Sequence, residues 1–184
     1  MKNRLTHVAL ALLLTASLAH AQLGATTGTT TVSVAVTAEA GLTVGTGTTT
    51  LTESGTNFSS YTGTTSMTYY IRTTASGGSG YIELEVTTDF TPTGGPSVGS
   101  PPSTGDALKY SCTVAAPGNS GTATACTNPS TAATSSETSV ATFGANARSL
   151  IGGNTASVSW TLTNDPKYQT GSYSATVTFT ISAS

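Results

Sequence analysis

The chain is short of histidine and of charge. Its only two histidines are His7 and His20, and it has six lysines and arginines against eight acidic residues. Four of the basic residues lie after residue 21, too few to neutralise the phosphates of a nucleic acid or an anionic membrane. No histidine lies there to activate a serine nucleophile. We therefore predict no nucleic-acid binding, no polybasic membrane contact and no triad hydrolase.

A long apolar run is also missing. The longest, residues 8–16, is too short to cross a bilayer. Two basic residues precede it and a small-residue sequence, residues 19–21, follows it, which is typical of a secretory signal peptide. We predict that residues 1–21 are removed and that residues 22–184 form one domain. The protein would be secreted to the cell surface or a fimbrium, via the periplasm if the cell is Gram-negative, with no membrane insertion.

Cysteine is equally scarce, with only Cys112 and Cys126. Two cysteines in an exported chain indicate a disulfide. An alternating segment before them and a Pro/Gly/Asn turn at residues 117–121 predict a hairpin with the cysteines on opposite strands. Such a crosslink contributes on the order of 3 kcal/mol. Because no histidine or third cysteine completes a ligand set, we predict no metal and no other cofactor.

Threonine, by contrast, makes up about a quarter of the mature chain. Threonine favours strands, and the apolar residues fall at alternate positions, as in half-buried strands. The clearest case is residues 171–182, where Tyr173, Val177, Phe179 and Ile181 share one parity. With polar turns between about seven to nine such segments, the pattern predicts an all-β, immunoglobulin-like sandwich of two sheets.

Two alternating segments near the middle of the chain look like consecutive strands. They are residues 66–73 and 81–86, and a Ser/Gly-rich turn separates them. A short glycine-rich connection between two strands favours a hairpin. We therefore predict that these two strands pair with each other.

Acidic residues offer the only other candidates for chemistry. Glu83 and Glu85 would lie roughly 7 Å apart on one strand face, near the spacing of glycosidase carboxylates. Because the opposite face of this strand is apolar, we interpret the two glutamates as its solvent-exposed side and not as a catalytic pair. Asp89, Asp106 and Asp165 lie beside loops, but without the dense acidic spacing of a calcium loop. We predict no catalytic residue and no enzyme activity.

The two ends of the chain resemble a known group of proteins. The last strand begins Gly171-Ser172-Tyr173 and continues with alternating valine, threonine, phenylalanine and isoleucine. A valine-alternating segment, residues 32–36, follows soon after the signal peptide. Both features resemble bacterial fibre subunits of the chaperone-usher pilin and spore coat protein U-like families. The resemblance implies an immunoglobulin-like sandwich that a strand of the neighbouring subunit completes.

The resemblance also implies roles for particular residues. Residues 31–37 would be the donor strand. Its inward side chains would be Val32, Val34 and Val36. One wall of the acceptor groove would consist of Tyr173, Val177, Phe179 and Ile181. The sequence leaves open whether the donor strand enters another copy or closes its own domain.

These observations predict a structural protein. We expect a non-enzymatic subunit of an extracellular fibre, pilus or matrix, which associates with itself or with other surface subunits. The alternative is a secreted carbohydrate-binding or adhesive module that binds a glycan or cell-surface ligand. Its binding residues would be the loop aromatics Tyr61 and Tyr168.

Overall fold

The computed structural model describes residues 27–184. The predicted signal peptide, residues 1–21, lies outside the described residues. Contacts divide the chain after Ala35 into two units. The described part of the first unit, residues 27–35, contains no helix and no strand. The second unit, Val36–Ser184, contains every strand that the structure describes.

The second unit is built from β-strands alone within the described residues, as the alternating sequence predicts. In β9, for example, Ala156, Val158, Trp160 and Leu162 are buried while the residues between them are not. The described residues form ten strands rather than the predicted seven to nine. Two of the ten, β2 and β7, have only two residues each. The strands are β1 (Glu39–Val44), β2 (Thr52–Glu53), β3 (Tyr61–Arg72), β4 (Gly80–Thr91), β5 (Leu108–Val114), β6 (Ala123–Ala125), β7 (Ser130–Thr131), β8 (Thr138–Phe143), β9 (Asn154–Leu162) and β10 (Ser174–Ala183).

The strands form two antiparallel sheets, and the two-sheet sandwich predicted from the sequence is confirmed. The first sheet has six strands, in the order β1-β3-β9-β5-β7 with β2 also paired to β3. The second has four, in the order β10-β4-β8-β6. The buried faces of both sheets contribute to one apolar core. No helix in the described residues is long and apolar enough to cross a membrane.

Aromatic contacts join the two sheets through this core. Tyr69 of the first sheet packs on Phe143 of the second, with ring centroids 4.9 Å apart. Trp160 lies beside Tyr110, and its indole N–H donates to the Thr65 hydroxyl at 2.8 Å. Burying side chains of this size stabilises a fold by about 1.5–3 kcal/mol each, provided that their polar atoms are paired. The core therefore holds the central strands of both sheets firmly.

The predicted hairpin between β3 and β4 is wrong. β3 pairs with β1 and β9, whereas β4 pairs with β10 and β8, so the two strands belong to different sheets. Each strand has one apolar row that is buried, headed by Tyr69 in β3 and Leu84 in β4. The intervening turn is an arch across the end of the sandwich, which places these rows face to face.

The disulfide is confirmed, but the hairpin that was predicted to carry it is wrong. Cys112 and Cys126 are bonded, with their Cα atoms 5.6 Å apart. Cys112 lies in β5 of the first sheet, and Cys126 directly follows β6 of the second. The bond therefore joins the two sheets rather than two strands of one sheet. It indicates an oxidising compartment.

Candidate assembly interface

The last strand, β10, forms one edge of the four-stranded sheet. It pairs with β4 on one side, and no described strand pairs with its other side. It is ten residues long and contains neither a charged residue nor a proline. Natural sheets usually protect an edge by shortening it or by adding charge, proline or a cover. The sequence of β10 provides none of the first three.

The other sheet ends differ from β10 in this respect. β2 and β7 have two residues each and β6 has three, so none offers a long template for pairing. β1 has six residues and begins with Glu39, whose carboxylate lies 3.4 Å from the Arg72 guanidinium. Among the described strands, β10 is the long edge without such protection.

The free edge of β10 presents the backbone of its inward residues. In β4, the Val86 N–H donates to the Ala133 carbonyl, so this backbone group points away from β10. Val86 is the partner of Val177, and the register then continues without a shift to Ile181 opposite Ile82. Backbone groups alternate between the two sides of a strand. The N–H and C=O groups of Val177, Phe179 and Ile181 are therefore directed to the open side.

The inward side chains of β10 are incompletely covered. Val177, Phe179 and Ile181 pack against the core but are only half-buried, whereas the corresponding row of β4 is fully buried. Phe179 reaches Trp160, with ring centroids 6.5 Å apart. The inward side chains of β10 thus remain partly exposed to solvent at this edge of the sandwich.

The facing edge of the first sheet is also incomplete. β1 lies beside β10, and its inward residues Leu42 and Val44 pair with Tyr69 and Met67 of β3. Leu42 is half-buried and Val44 is 39% exposed. We call the apolar row between these strands the β1–β10 seam, which consists of Leu42, Val44, Val177, Phe179 and Ile181. The residues of the seam are apolar, as in a core, but they are only partly buried.

The predicted donor segment is exposed and takes part in no strand pairing that the structure describes. Residues 31–37 belong to no strand, and the first strand begins only at Glu39. Val32, Val34 and Val36 are 90%, 85% and 66% exposed. These three side chains are therefore available for another surface.

One predicted groove residue lies elsewhere. Tyr173 precedes β10, and its ring covers Gly95, where a Cβ would lie 2.4 Å from the ring. Its hydroxyl donates to the Gln169 carbonyl at 2.7 Å. Tyr173 therefore holds the loop after β4 against the turn before β10, while the other three groove residues line the seam.

The two loop tyrosines predicted for a glycan site are tied into the fold. Tyr61 begins β3, pairs with Leu162 and packs against the core. The Tyr168 hydroxyl donates to a carboxylate oxygen of Asp106. Burial of the Tyr168 ring, followed by this hydrogen bond, raises the pKa of Tyr168 well above its usual value. Both tyrosines therefore have structural contacts within the fold.

The acidic residues do not gather into one reactive site, although Asp106 and Asp165 both lie near enough to Tyr168 to raise its pKa. Glu83 and Glu85 lie on the outer face of β4, opposite Thr180 and Thr178. Asp106 is 3% exposed, and its second carboxylate oxygen has no hydrogen-bond partner in the described residues. One such oxygen is far short of the six to eight ligands of calcium. No group of three acidic, cysteine or histidine residues in the described chain is placed to hold a metal.

Asp89 organises the loop that follows β4. Its carboxylate accepts hydrogen bonds from the Ser97 hydroxyl at 2.6 Å and from the backbone N–H groups of Phe90 and Val98 at 2.7 Å each. The Gly99 N–H adds a bond at 3.1 Å. Partial burial raises the pKa of Asp89, but these four bonds lower it more, so the pKa lies below its ordinary value. The charged form of Asp89 therefore stabilises the fold.

We expect Asp89→Asn to reduce the free energy of unfolding at pH 7 by about 1–3 kcal/mol, because a carboxamide cannot accept from all four donors. A depressed pKa contributes stability above the unfolded pKa of about 3.9, and that contribution disappears as pH falls through the lower folded value. The deficit of the variant should therefore shrink below about pH 4. Urea unfolding at pH 7 and pH 3 measures it, with Glu137→Gln as the control. An equal deficit at both values would show that the charge of Asp89 is not the cause.

Comparison of the chain with protein-family models, characterised proteins and solved structures finds no match in any of the three.

Proposed function

We propose that this protein is a non-enzymatic structural subunit of an extracellular fibre, pilus or matrix. Residues 31–37 of one copy would add as a strand to β10 of the next copy. The observation that carries this proposal is the ten-residue, uncharged edge of β10, whose inward apolar row is only half-buried. Strand addition supplies both missing elements, since main-chain bonds pair the edge and alternate side chains fill the seam.

The spacing of the two segments supports this pairing. The donor presents valines at every second residue from Val32 to Val36, and the acceptor presents Val177, Phe179 and Ile181 at the same spacing. Side chains two apart lie on one face of a strand. A strand that aligns these rows would bury three valines that are otherwise exposed.

Chain connectivity favours a neighbouring copy over closure of the same domain. Only Ala38 separates the donor segment, residues 31–37, from β1, which forms one wall of the seam. Even the tightest common hairpin needs a loop of two residues to reverse the chain. A donor strand that lies beside β1 and pairs with β10 is thus best supplied by a second molecule.

The proposal is tested by imaging the purified mature chain, residues 22–184. We expect filaments or higher oligomers by negative-stain microscopy and light scattering, and a monomer after deletion of residues 22–37. A mature chain that stays monomeric under all conditions would overturn the proposal. So would a truncated chain that still forms filaments.

A peptide experiment separates strand addition from other effects of the truncation. We expect a synthetic peptide of residues 22–37 to bind the truncated chain at one to one and to raise its Tm. The matched control is the same peptide with Val32, Val34 and Val36 replaced by serine, which keeps the backbone donors but removes the apolar row. Equal binding of both peptides would contradict a role for the seam.

A further inference from the structure

A cleft of about 420 Å³ gathers two of the few cations of the chain. Arg72 ends β3, and Arg148 lies between β8 and β9. The two residues form an isolated β-bridge, and both side chains line the cleft. The remaining cations of residues 27–184 are Lys109 and Lys167, which do not line it. In a chain with more acidic than basic residues, this cleft is a local concentration of positive charge.

The backbone of Arg148 is held by hydrogen bonds, whereas its guanidinium group has no partner among the described residues. Its N–H donates to the Ser120 carbonyl at 2.8 Å, and its carbonyl accepts from Asn119 and Ser120 at 3.0 and 3.3 Å. The guanidinium group has no hydrogen bond and no carboxylate within 4.0 Å among the described residues. An exposed arginine side chain on a fixed backbone, without a partner among the described residues, is suited to bind a carboxylate through two parallel hydrogen bonds.

The second arginine is partly neutralised within the same cleft. The Arg72 guanidinium lies 3.4 Å from the Glu39 carboxylate and donates to the Thr37 carbonyl. Two guanidinium groups and one carboxylate leave the cleft with one net positive charge. The Asn119 side chain donates to the Ser149 carbonyl, and its oxygen accepts no hydrogen bond from the described residues. The cleft therefore offers one cation for an anion, together with acceptors for hydroxyl groups.

An aromatic ring is held beside these polar groups. Tyr70 is 39% exposed, pairs with Gly41 of β1 and lies beside Gly153. A Cβ at Gly153 would lie 3.0 Å from the ring, so the glycine lets the ring pack closely on the backbone. Gly153 also has a φ of 78°, which favours glycine. The ring of Tyr70 is thus placed at the wall of the cleft.

Two exposed apolar residues complete the rim. Leu150 is 47% exposed and Ile151 is fully exposed. The turn that carries them is held by bonds from the Leu150 N–H to the Asn154 side chain and from the Gly153 N–H to the Leu150 carbonyl. These two side chains leave the rim of the cleft open to solvent.

We propose that this arginine cleft, lined by Glu39, Tyr70, Arg72, Asn119, Arg148 and Leu150, binds a saccharide that carries a carboxylate group. The carboxylate pairs with Arg148, the sugar ring packs on Tyr70, and sugar hydroxyls donate to Glu39 and Asn119. An acidic peptide fits less well, because Glu39 repels further carboxylates and a peptide has few hydroxyls to donate. The inference does not rest on assembly, since β10 and the three valines of the donor segment do not line the cleft.

The test compares two ligands that differ only in the acid group. Trigalacturonate and galactotriose are titrated into the full mature chain by isothermal calorimetry at low salt. We expect binding of trigalacturonate that weakens as salt is raised, and at least tenfold weaker binding of galactotriose. Equal affinity for both trisaccharides would overturn the proposal, and so would the absence of binding for trigalacturonate at millimolar concentration.

Substitutions locate the binding to the cleft. We expect Arg148→Ala to weaken trigalacturonate binding about 10–100-fold, as is usual for a lost charge-assisted contact. Lys109→Ala removes one cation from the outer face of β5 and should leave the affinity unchanged. Circular dichroism checks that both variants are folded. If the two variants lose affinity equally, the effect is one of net charge and the proposed site is wrong.

A third pair of variants distinguishes a sugar from a simple anion. We expect Tyr70→Ala to weaken trigalacturonate binding at least fivefold, and Tyr70→Phe to keep most of it, since a ring face and not a hydroxyl packs on the sugar. A triglutamate peptide should bind more weakly than trigalacturonate. Tighter binding of the peptide, or no effect of Tyr70→Ala, would show that the cleft is not a saccharide site.

Discussion

Replacing Ile181 with proline is expected to abolish filament formation while leaving the monomer folded. The N–H group of Ile181 is directed to the open side of β10, so proline removes no bond to β4. Proline is tolerated on an edge strand when its missing donor faces solvent. For an incoming strand, the same change removes a donor and places a ring in its path. Negative-stain microscopy and the sedimentation coefficient of the mature chain measure the result.

The matched control for this variant is Ile181→Ala. Alanine also removes the branched isoleucine side chain but keeps the N–H group, so assembly should persist with at most a modest loss of stability, about 2 kcal/mol or less. Thr180→Pro is a second control, because Thr180 lies at the opposite parity and its N–H faces β4; it should destabilise the monomer itself. If Ile181→Pro and Ile181→Ala assemble equally well, strand addition at β10 is excluded.

The sequence predicts which residues face the core better than it predicts which strands are neighbours. The inward positions of β3, β4 and β9 all follow from the alternation of apolar and polar residues, because one face of each strand is buried and the other is exposed to solvent. Alternation says nothing about the sheet to which a strand belongs. Both a hairpin and an arch between sheets bury the same side chains, so Tyr69 and Leu84 would be inward in either arrangement.

The disulfide illustrates the same limit. Cys112 and Cys126 have inward positions and few residues between them, so a bond is predicted from either topology. The hairpin interpretation assumed that the closest segments in sequence pair directly. Instead β5 finds its longest partner in β9, more than 40 residues later, and β6 pairs with β8. Long-range pairing of this kind is decided by the packing of whole sheets, which a local pattern does not contain.

The candidate interface was predictable in part for a related reason. The regular apolar row of β10 and the valines of residues 31–37 are local patterns, and both are visible in the sequence. That β10 is an edge, and that β1 lies beside it, depends on the order of strands in two sheets. The arginine cleft is further from prediction, since a β-bridge brings together Arg72 and Arg148 from distant parts of the chain. The only related feature in the sequence is the scarcity of basic residues, which makes any pair of them a local concentration of positive charge.

The two sheets are joined differently at their two edges, by apolar contacts at the β1–β10 seam and by the disulfide near β6. The disulfide therefore has a specific structural role. At the side of β10 the sheets meet at the seam, where apolar residues remain half-exposed. Near β6 a covalent bond joins them. β6 has only three residues and pairs with β8 alone, so it has little else to hold it. The crosslink should therefore anchor an edge strand that its own backbone bonds would not secure.

We expect Cys112→Ala combined with Cys126→Ala to lower the free energy of unfolding by about 3 kcal/mol, because a crosslink across a loop of this length constrains the unfolded chain by that amount. For a domain of this size the loss corresponds to a fall in Tm of roughly 6–12 °C. Thermal unfolding of the truncated monomer, residues 38–184, measures it without interference from assembly. Reduction of the unmutated monomer should give the same fall. A reduced monomer that melts at the temperature of the oxidised one would show that β6 is held by packing alone.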